Sequence, residues 1–191
     1  MKKIYQIQIA LKNFKPRIWR RILVPSDVSL SEFHKIIQTT MGWTNSHLHE
    51  FIKDRTYYTV KMEGDDMWDD EISVDYKDIK ICDLLKDEKE KIFYEYDFGD
   101  GWSHGIVLEK ILLFDDRIKY PVCIKGKMNC PPEDCGGVWG YADLLEVLKN
   151  PDHEEYEEFV ELYGDDFDPE HFDKDEVNEL LREKNYGCWE L

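Results

Sequence analysis

The sequence predicts an α+β protein, in which a mixed β-sheet is crossed by one helix and followed by an acidic helical part. Apolar and polar residues alternate at the start of the chain and again in several runs between residues 47 and 114, which is typical of strands. A capped amphipathic helix interrupts these runs, and from residue 141 onward apolar residues recur at helical spacing. We expect a sheet domain over residues 1–140 and a three-helix part over residues 141–191 packed on it.

The first elements are a β-hairpin and a helix. Residues 4–11 and 17–24 form two strand-like runs, and residues 12–16 supply the turn between them. Ser29 and Glu32 then have the spacing of a capping box, in which each side chain bonds the backbone of the other residue. The apolar stripe behind this cap stops before a glycine at position 42, which is suited to end a helix.

The remaining elements of the sheet domain follow in order. They are strands at residues 47–52 and 56–62, an acidic loop at 63–78 that holds Trp68, a short helix at 79–85, and strands at 91–98 and 105–114. Hairpin, helix, two strands, short helix and strand is the order of the ubiquitin-like β-grasp fold. That topology places the 91–98 strand beside both the first strand and the 47–52 strand.

Three amphipathic helices are predicted at the end of the chain. Gly164 ends the second, and Asp173 with Glu176 caps the third, which is expected to end at Gly187. Residues 141–191 hold 18 acidic and 4 basic side chains, so most of the net charge of −17 lies in this part. We expect that charge to cover the solvent faces of the helices.

The net charge of −17 limits the partners of the chain. Phosphate backbones are repelled, so we expect no tight non-specific binding to nucleic acid. Residues 1–21 carry seven Lys or Arg and no acid, and we expect them to face the acidic C-terminal part. The sequence has no signal-peptide pattern, no apolar run of membrane-spanning length and an odd count of five cysteines. It therefore predicts a cytoplasmic protein with reduced thiols and no membrane partner.

Asp100-Gly101 is the strongest turn signal in the chain. A two-residue loop at this point would place Asp97 directly opposite His104 on the same face of a hairpin. Such a carboxylate and imidazole form either a hydrogen-bonded structural pair or part of a polar site. In both cases we expect the carboxylate to raise the pKa of the imidazole.

The predicted topology brings three groups of polar residues together: two histidines on the third strand, the hairpin tip, and a loop shaped by paired prolines and glycines. The candidate site residues are His47, His49, Asp97, Asp100, Trp102, His104, Glu133 and Asp134. The strong metal-binding spacings are missing, so no cofactor is predicted. A divalent metal held by the three histidines and the first aspartate of this set stays an alternative.

The cysteines offer a second arrangement for a metal. Cys130 and Cys135 have a spacing that a zinc loop allows. Cys123 and Cys188 would have to complete that site, because four ligands are usual in structural zinc sites.

Several short motifs, in order along the chain, match those of a known family. They are Arg17-Ile18-Trp19-Arg20-Arg21, Gly42-Trp43, His47-Leu48-His49-Glu50-Phe51, Tyr96-Asp97-Phe98-Gly99-Asp100 with Trp102 and His104, Cys130-Pro131-Pro132-Glu133-Asp134 with Gly136-Gly137, and Phe167-Asp168-Pro169. With these motifs the chain resembles the plasmid pRiA-4b ORF-three-like family over nearly its whole length. Members of the family are encoded on plasmids, as passenger proteins of insertion elements and in chromosomes. The resemblance implies membership of this family, and it does not imply a particular reaction.

The sequence favours a binding or interaction module for a protein or small-molecule ligand. The alternative is a metal-dependent enzyme acting on a nucleotide or nucleic acid, with His47, His49, Asp97 and His104 at its centre. The mobile-element association implied by the resemblance favours the enzyme, although such association says little about chemistry. The net charge favours the binding module.

Overall fold

A computed structural model describes residues 2–61 and 72–189. Its strands are β1 (Lys3–Leu11), β2 (Trp19–Pro25), β3 (His49–Lys53), β4 (Thr56–Thr59), β5 (Ile72–Asp75), β6 (Lys91–Tyr96), β7 (Trp102–Leu113) and β8 (Val122–Lys127). Its helices are α1 (Leu30–Met41), α2 (Ile81–Leu84), α3 (Gly137–Leu148), α4 (Tyr156–Tyr163) and α5 (Lys174–Leu180). The predicted α+β class is confirmed. Within these two ranges, no helix combines the length and the apolar character needed to cross a bilayer.

The eight strands form one mixed sheet in the order β5-β4-β3-β6-β7-β1-β2-β8. Neighbours run antiparallel except for the parallel pair β4 and β5. Strand β6 lies beside β3, as predicted, but β7 separates it from β1. The β-grasp order is therefore not seen, because the long strand β7 folds back from β6 and takes the whole length of β1 as its partner.

Two strands were not predicted from the sequence, and both lie at the edges of the sheet. Strand β5 falls in the segment expected to be an acidic loop, and β8 falls in the connection expected after β7. Trp68, which was placed in that loop, lies outside the described residues. Short edge strands carry little alternation for a sequence pattern to detect.

Helix α1 begins and ends as its sequence predicts. The Ser29 hydroxyl accepts a hydrogen bond from the Glu32 N–H at 3.2 Å, and the Glu32 carboxylate accepts one from the Ser29 N–H at 3.1 Å. Gly42 ends the helix with φ of 107°. The apolar side of the helix is buried, and Phe33 stacks on Phe51 of β3 with ring centroids 5.9 Å apart. The helix therefore packs its apolar stripe against the sheet.

The C-terminal helices share the core of the sheet. Tyr141, Leu144 and Leu181 are buried in the same apolar cluster as the strands. Helix α3 begins at Gly137, so the expected boundary at residue 140 falls inside a helix. Helix α5 starts at the predicted Asp173 cap but ends at Leu180, and a separate 3-10 turn (Lys184–Gly187) follows it.

Helix α5 is joined to the outer strand β8 by one side chain. The Asn178 carboxamide accepts a hydrogen bond from the Cys123 N–H at 2.7 Å and donates one to the Cys123 carbonyl at 2.9 Å. Both side chains are buried. The amide of Asn178 thus makes the two backbone bonds that a neighbouring strand would make at this position.

Removing residues 141–191 is expected to leave an aggregating fragment. The deletion would uncover the apolar surface that Tyr141, Leu144 and Leu181 cover, and a large exposed apolar patch promotes association. Size-exclusion chromatography and a thermal melt of residues 1–140 test this expectation. A soluble fragment that melts cooperatively would contradict it and would make the acidic part an appended domain.

Candidate functional site

The tip of the central hairpin is a five-residue loop instead of the predicted two-residue turn. Tyr94 lies opposite His104, and Tyr96 lies opposite Trp102. The predicted pairing of Asp97 with His104 is therefore wrong. The turn signal of Asp100-Gly101 was real, but the loop begins three residues earlier than the shortest hairpin would allow.

Asp97 starts this loop in the left-handed conformation, with φ of 57°. Its Oδ1 accepts a hydrogen bond from the Gly99 N–H at 2.9 Å, and its carbonyl accepts one from the Gly101 N–H at 2.6 Å. Aspartate tolerates this conformation because its side chain can bond the backbone two residues ahead. The carboxylate is buried and fixed, with Oδ2 turned toward His47, just before β3 begins.

Asp97 meets three other polar side chains, and we call the four residues the carboxylate–histidine cluster. His47 Nε2 lies 3.7 Å from Asp97 Oδ2, 3.3 Å from Glu133 Oε2 and 3.3 Å from Asp134 Oδ1. Ligand atoms of His47, Asp97 and Asp134 all lie within 4.8 Å of one another. Although three carboxylates surround it, this buried nitrogen has no hydrogen-bond partner within the described ranges 2–61 and 72–189.

Glu133 is held in the cluster by the segment that follows α1. Its Oε1 accepts hydrogen bonds from the Thr44 N–H at 2.7 Å and from the Tyr96 hydroxyl at 3.0 Å. The Tyr96 hydroxyl in turn accepts from the Ser46 N–H at 2.9 Å. Burial and the neighbouring Glu133 raise the pKa of Tyr96, so the phenol stays a donor to this carboxylate.

Asp100 joins the hairpin tip to the loop that carries Glu133 and Asp134. Its Oδ2 accepts a hydrogen bond from the Gly136 N–H at 3.2 Å. At Gly137, which has φ of 67°, an added Cβ would lie 2.3 Å from the Asp100 carbonyl oxygen. The loop can approach this closely because the position has no side chain. The role of Asp100 is therefore to position the loop, and it is not one of the four cluster residues.

A closed set of hydrogen bonds fixes the segment that leads to His47, and we call it the polar circuit. The Asn45 N–H donates to Gln38 Oε1 at 3.0 Å, and Gln38 Nε2 donates to the Tyr94 hydroxyl at 2.9 Å. His34 completes the circuit, with Nδ1 2.9 Å from that hydroxyl and Nε2 2.6 Å from Asn45 Oδ1. An amide oxygen only accepts, so His34 carries its proton on Nε2 and receives the Tyr94 proton at Nδ1.

The part that His34 plays in the circuit was not predicted from the sequence. Burial lowers the pKa of His34 to about 4 and that of His49 to about 2. The two rings stack with centroids 3.4 Å apart. His49 Nε2 lies 2.6 Å from the Tyr76 hydroxyl, and burial raises the pKa of Tyr76 to about 12, so that the phenol keeps its proton. His49 is therefore a neutral, half-buried residue that does not belong to the cluster.

His104 and Trp102 also belong to the interior. His104 packs edge-on against Trp43 with ring centroids 5.1 Å apart, and Trp102 is buried beside the same indole. Burial lowers the pKa of His104 to about 4, against the expectation of a raised value. Backbone carbonyls of Tyr94 and Trp102 oppose this shift, yet neither ring nitrogen makes a hydrogen bond of normal geometry with any described residue.

The cluster borders a cleft of about 520 Å³. The cleft is lined by Gly42, Trp43, Thr44, Ser46, Asn129, Cys130, Pro131, Pro132, Glu133, Asp134, Leu162, Tyr163 and Phe167. Its walls are aromatic or proline-rich, and its polar groups are hydroxyls, one amide and two carboxylates. It lies between the segment after α1, the loop that carries the carboxylates, and the end of α4.

Comparison with known proteins gives the family. The model of the plasmid pRiA4b ORF-3-like proteins matches residues 3–176. The chain belongs to this family. The resemblance found in the sequence motifs is therefore confirmed.

Two relatives cover most of this pRiA4b ORF-3-like chain. One is "Uncharacterized protein y4hQ" from Sinorhizobium fredii (strain NBRC 101917 / NGR234), which is 35% identical over 162 residues, 84% of this chain and 81% of the relative. The other is a crystal structure of the protein of unknown function MM3350 from Methanosarcina mazei Go1. It is 42% identical, has a TM-score of 0.80, and the match covers 93% of this chain and 98% of that one.

In this family member, half of the predicted site residues come together. His47, Asp97, Glu133 and Asp134 form the cluster, Asp100 positions a loop, Trp102 and His104 are buried, and His49 is half-buried. Of the expected metal ligands, only the first histidine and the aspartate meet. The cysteines do not gather into a set of ligands in the part of the chain that the structure describes.

Proposed function

We propose that the protein is a binding module and that its ligand lies in the cleft beside the carboxylate–histidine cluster. The lining of the cleft supports this proposal. Trp43, Tyr163 and Phe167 supply aromatic surface, while Thr44 and Asn129 supply a few directed polar groups. Binding pockets for small ligands have this volume and this balance of apolar walls and few polar groups.

The charge of the cleft indicates the class of ligand. Among the described residues that line it there are two carboxylates and no lysine or arginine. The whole chain carries −17, so its field adds to the local one. Neutral or cationic ligands with an apolar body are favoured, whether they are small molecules or side chains of a partner protein. A phosphate or carboxylate group would be repelled unless a cation offset the two carboxylates.

Three aromatic fragments of matched size test this proposal: benzyl alcohol, benzylamine and benzoate. With metal-free protein, saturation-transfer NMR is expected to detect binding of the alcohol and the amine but not of benzoate. Phe167→Ala should weaken both signals, because Phe167 lines the cleft. Phe114→Ala is the matched control, since Phe114 is exposed, packs against the tilted ring of Tyr120 and does not line the cleft. Equal binding of benzoate, or signals that Phe167→Ala leaves unchanged, would contradict the proposal.

The second candidate is a metal-dependent enzyme acting on a nucleotide or nucleic acid. It is favoured by the position of the cluster, because catalytic metal sites keep an open coordination position toward a substrate pocket. Phosphate could approach only after a cation had reduced the local negative charge. Release of a nucleotide product or of inorganic phosphate by metal-loaded protein would support this candidate over the first. Weak non-specific binding to nucleic acid remains a prediction of the net charge.

A further inference from the structure

We propose that His47, Asp97 and Asp134 bind a zinc ion at the edge of the cleft. Their ligand atoms lie within 4.8 Å of one another, and they come from the segment just before β3, the hairpin tip and the loop before α3. The proposal does not depend on which ligand the cleft holds. It concerns a resident ion, which could serve either candidate function.

Two of the distances within the cluster are close to those in a zinc site. A metal bonded to two ligands at about 2.0–2.2 Å, with tetrahedral angles, holds those ligands about 3.3–3.6 Å apart. His47 Nε2 lies 3.3 Å from Asp134 Oδ1 and 3.7 Å from Asp97 Oδ2. An octahedral ion with similar bonds would hold neighbouring ligands about 3.0 Å apart. These two separations are therefore closer to tetrahedral than to octahedral spacing for bonds of this length.

The electrostatics of the cluster favour a cation close to His47 Nε2. This nitrogen faces three carboxylates at 3.3–3.7 Å. It makes no hydrogen bond of acceptable geometry with any described residue. A cation placed between the nitrogen and the oxygens satisfies all of these atoms together.

The ligand types select the class of ion. Calcium and magnesium prefer all-oxygen shells, so an imidazole at the centre of the cluster disfavours them. One imidazole with carboxylates suits zinc, which accepts nitrogen and oxygen ligands. Thiols take no part, because the cysteines of the described ranges do not enter the ligand group.

Two of the carboxylates are held in place before any ion arrives. Asp97 Oδ1 is fixed by the Gly99 N–H, which leaves Oδ2 facing His47. Glu133 is held by Tyr96 and Thr44, so we assign it as a positioning residue beside the ion. Asp134 is the exposed member, with 76% of its side chain accessible, and it lines the cleft. Three protein ligands then leave a fourth position open toward the cleft.

Zinc titration of full-length, tag-free protein tests the proposal. After chelator treatment, isothermal titration calorimetry with zinc alone is expected to show one site per chain. His47→Gln and Asp134→Asn should each weaken the affinity at least about a hundredfold, since even loss of an outer-shell partner costs up to that factor. Asp134 is exposed, so its variant keeps the test valid if His47→Gln folds poorly. Cobalt substitution should give the intense visible absorption of a tetrahedral site in the wild type but not in His47→Gln or Asp134→Asn.

Two matched controls separate this site from other zinc ligands. His171→Gln removes an exposed histidine that also lies 3.4 Å from a carboxylate, that of Glu176, and it should leave the affinity unchanged. Cys135→Ser removes a half-buried thiol near the cluster and should also leave it unchanged. The proposal is overturned if wild type fails to bind zinc, if His47→Gln and Asp134→Asn bind as tightly as wild type, or if either control loses the site. Equal affinity for magnesium would also overturn it.

Discussion

Replacing Gly137 by alanine is expected to lower the free energy of unfolding by about 2–5 kcal/mol and to abolish zinc binding. The added Cβ would lie 2.3 Å from the Asp100 carbonyl oxygen, which belongs to the backbone and cannot swing aside. Overpacking of this kind costs about 1–3 kcal/mol, and φ of 67° adds about 1–2 kcal/mol for a residue with a side chain. The loop and the hairpin tip must separate, which moves Asp134 away from Asp97.

Alanine variants of two other glycines separate the conformational part of this effect from the steric part. Gly101 has φ of 69° but nothing within 4 Å of an added Cβ, so Gly101→Ala should cost only the conformational part. Gly105 also has open space and lies in β7, so Gly105→Ala should change stability little. Urea unfolding and zinc titration of the three variants measure both quantities. If Gly137→Ala unfolds like Gly105→Ala, the contact between loop and hairpin is not what holds the cluster together.

The protein is expected to lose most of its stability between pH 6.5 and 4. Burial lowers the pKa of His34 and of His104 to about 4 and that of His49 to about 2, against about 6.5 in an unfolded chain. Above pH 6.5 the three histidines are neutral in either state and contribute no pH dependence. As the pH falls through this window, the unfolded chain takes up three protons that the folded chain does not bind, and stability falls by about 4 kcal/mol per pH unit. The total, about 10 kcal/mol, is comparable with the whole stability of a small domain.

The structure gives the reason why His34 and His104 stay unprotonated in the folded chain. A proton on His34 Nδ1 would remove the acceptor of the Tyr94 hydroxyl and break the polar circuit. A proton on His104 would place a charge among Trp43 and Tyr94 with no carboxylate beside it. Surface carboxylates oppose the loss, since their protonation relieves the charge of −17, but they titrate mainly near pH 4, at the lower end of the window.

Urea unfolding at several pH values between 7.5 and 5 measures the slope. His104→Leu removes one titrating group from an apolar site, so it should reduce the slope by about 1.4 kcal/mol per pH unit. It should therefore be more stable than wild type at pH 5. His171→Gln, at an exposed histidine, should leave the slope unchanged. A slope that His104→Leu does not alter would show that this residue is not among the groups that drive acid unfolding.

Local signals in the sequence predicted the elements of this fold better than their arrangement. The capping box at Ser29 and the glycine at position 42 specify α1 because both act within one turn of helix. The predicted β-grasp order was wrong because it made β1 a neighbour of β6. No local sequence feature indicates that β7 pairs with β1 instead. The pairing of strands depends on burial across the whole sheet. The alternation of residues along one strand does not show which strand will be its neighbour.

The predicted site contained all four residues of the cluster, but it also contained four that lie outside it, and one of these errors has a clear physical cause. The sequence placed His47, Asp97, Glu133 and Asp134 in one site because neighbouring strands and a shaped loop converge there. His104 was added through a hairpin register that assumed the shortest loop, whereas the side chain of Asp97 stabilises a longer one. The polar circuit left one detectable signal, the His34 beside the apolar stripe of α1. Its hydrogen-bond partners Asn45 and Tyr94 lie 11 and 60 residues away, so no short motif contains them.

The two hydrogen bonds between the Asn178 side chain and the Cys123 backbone affect how readily the edge of the sheet can pair with another chain. Strand β8 is the last strand of the sheet, and an uncovered last strand is a template on which another polypeptide can add. The carboxamide occupies a donor and an acceptor near the start of that strand, and α5 packs beside it. Detachment of α5 would free β8 before the core itself opened. We therefore expect that loss of the α5 contact would expose β8 to strand addition by another chain and promote self-association.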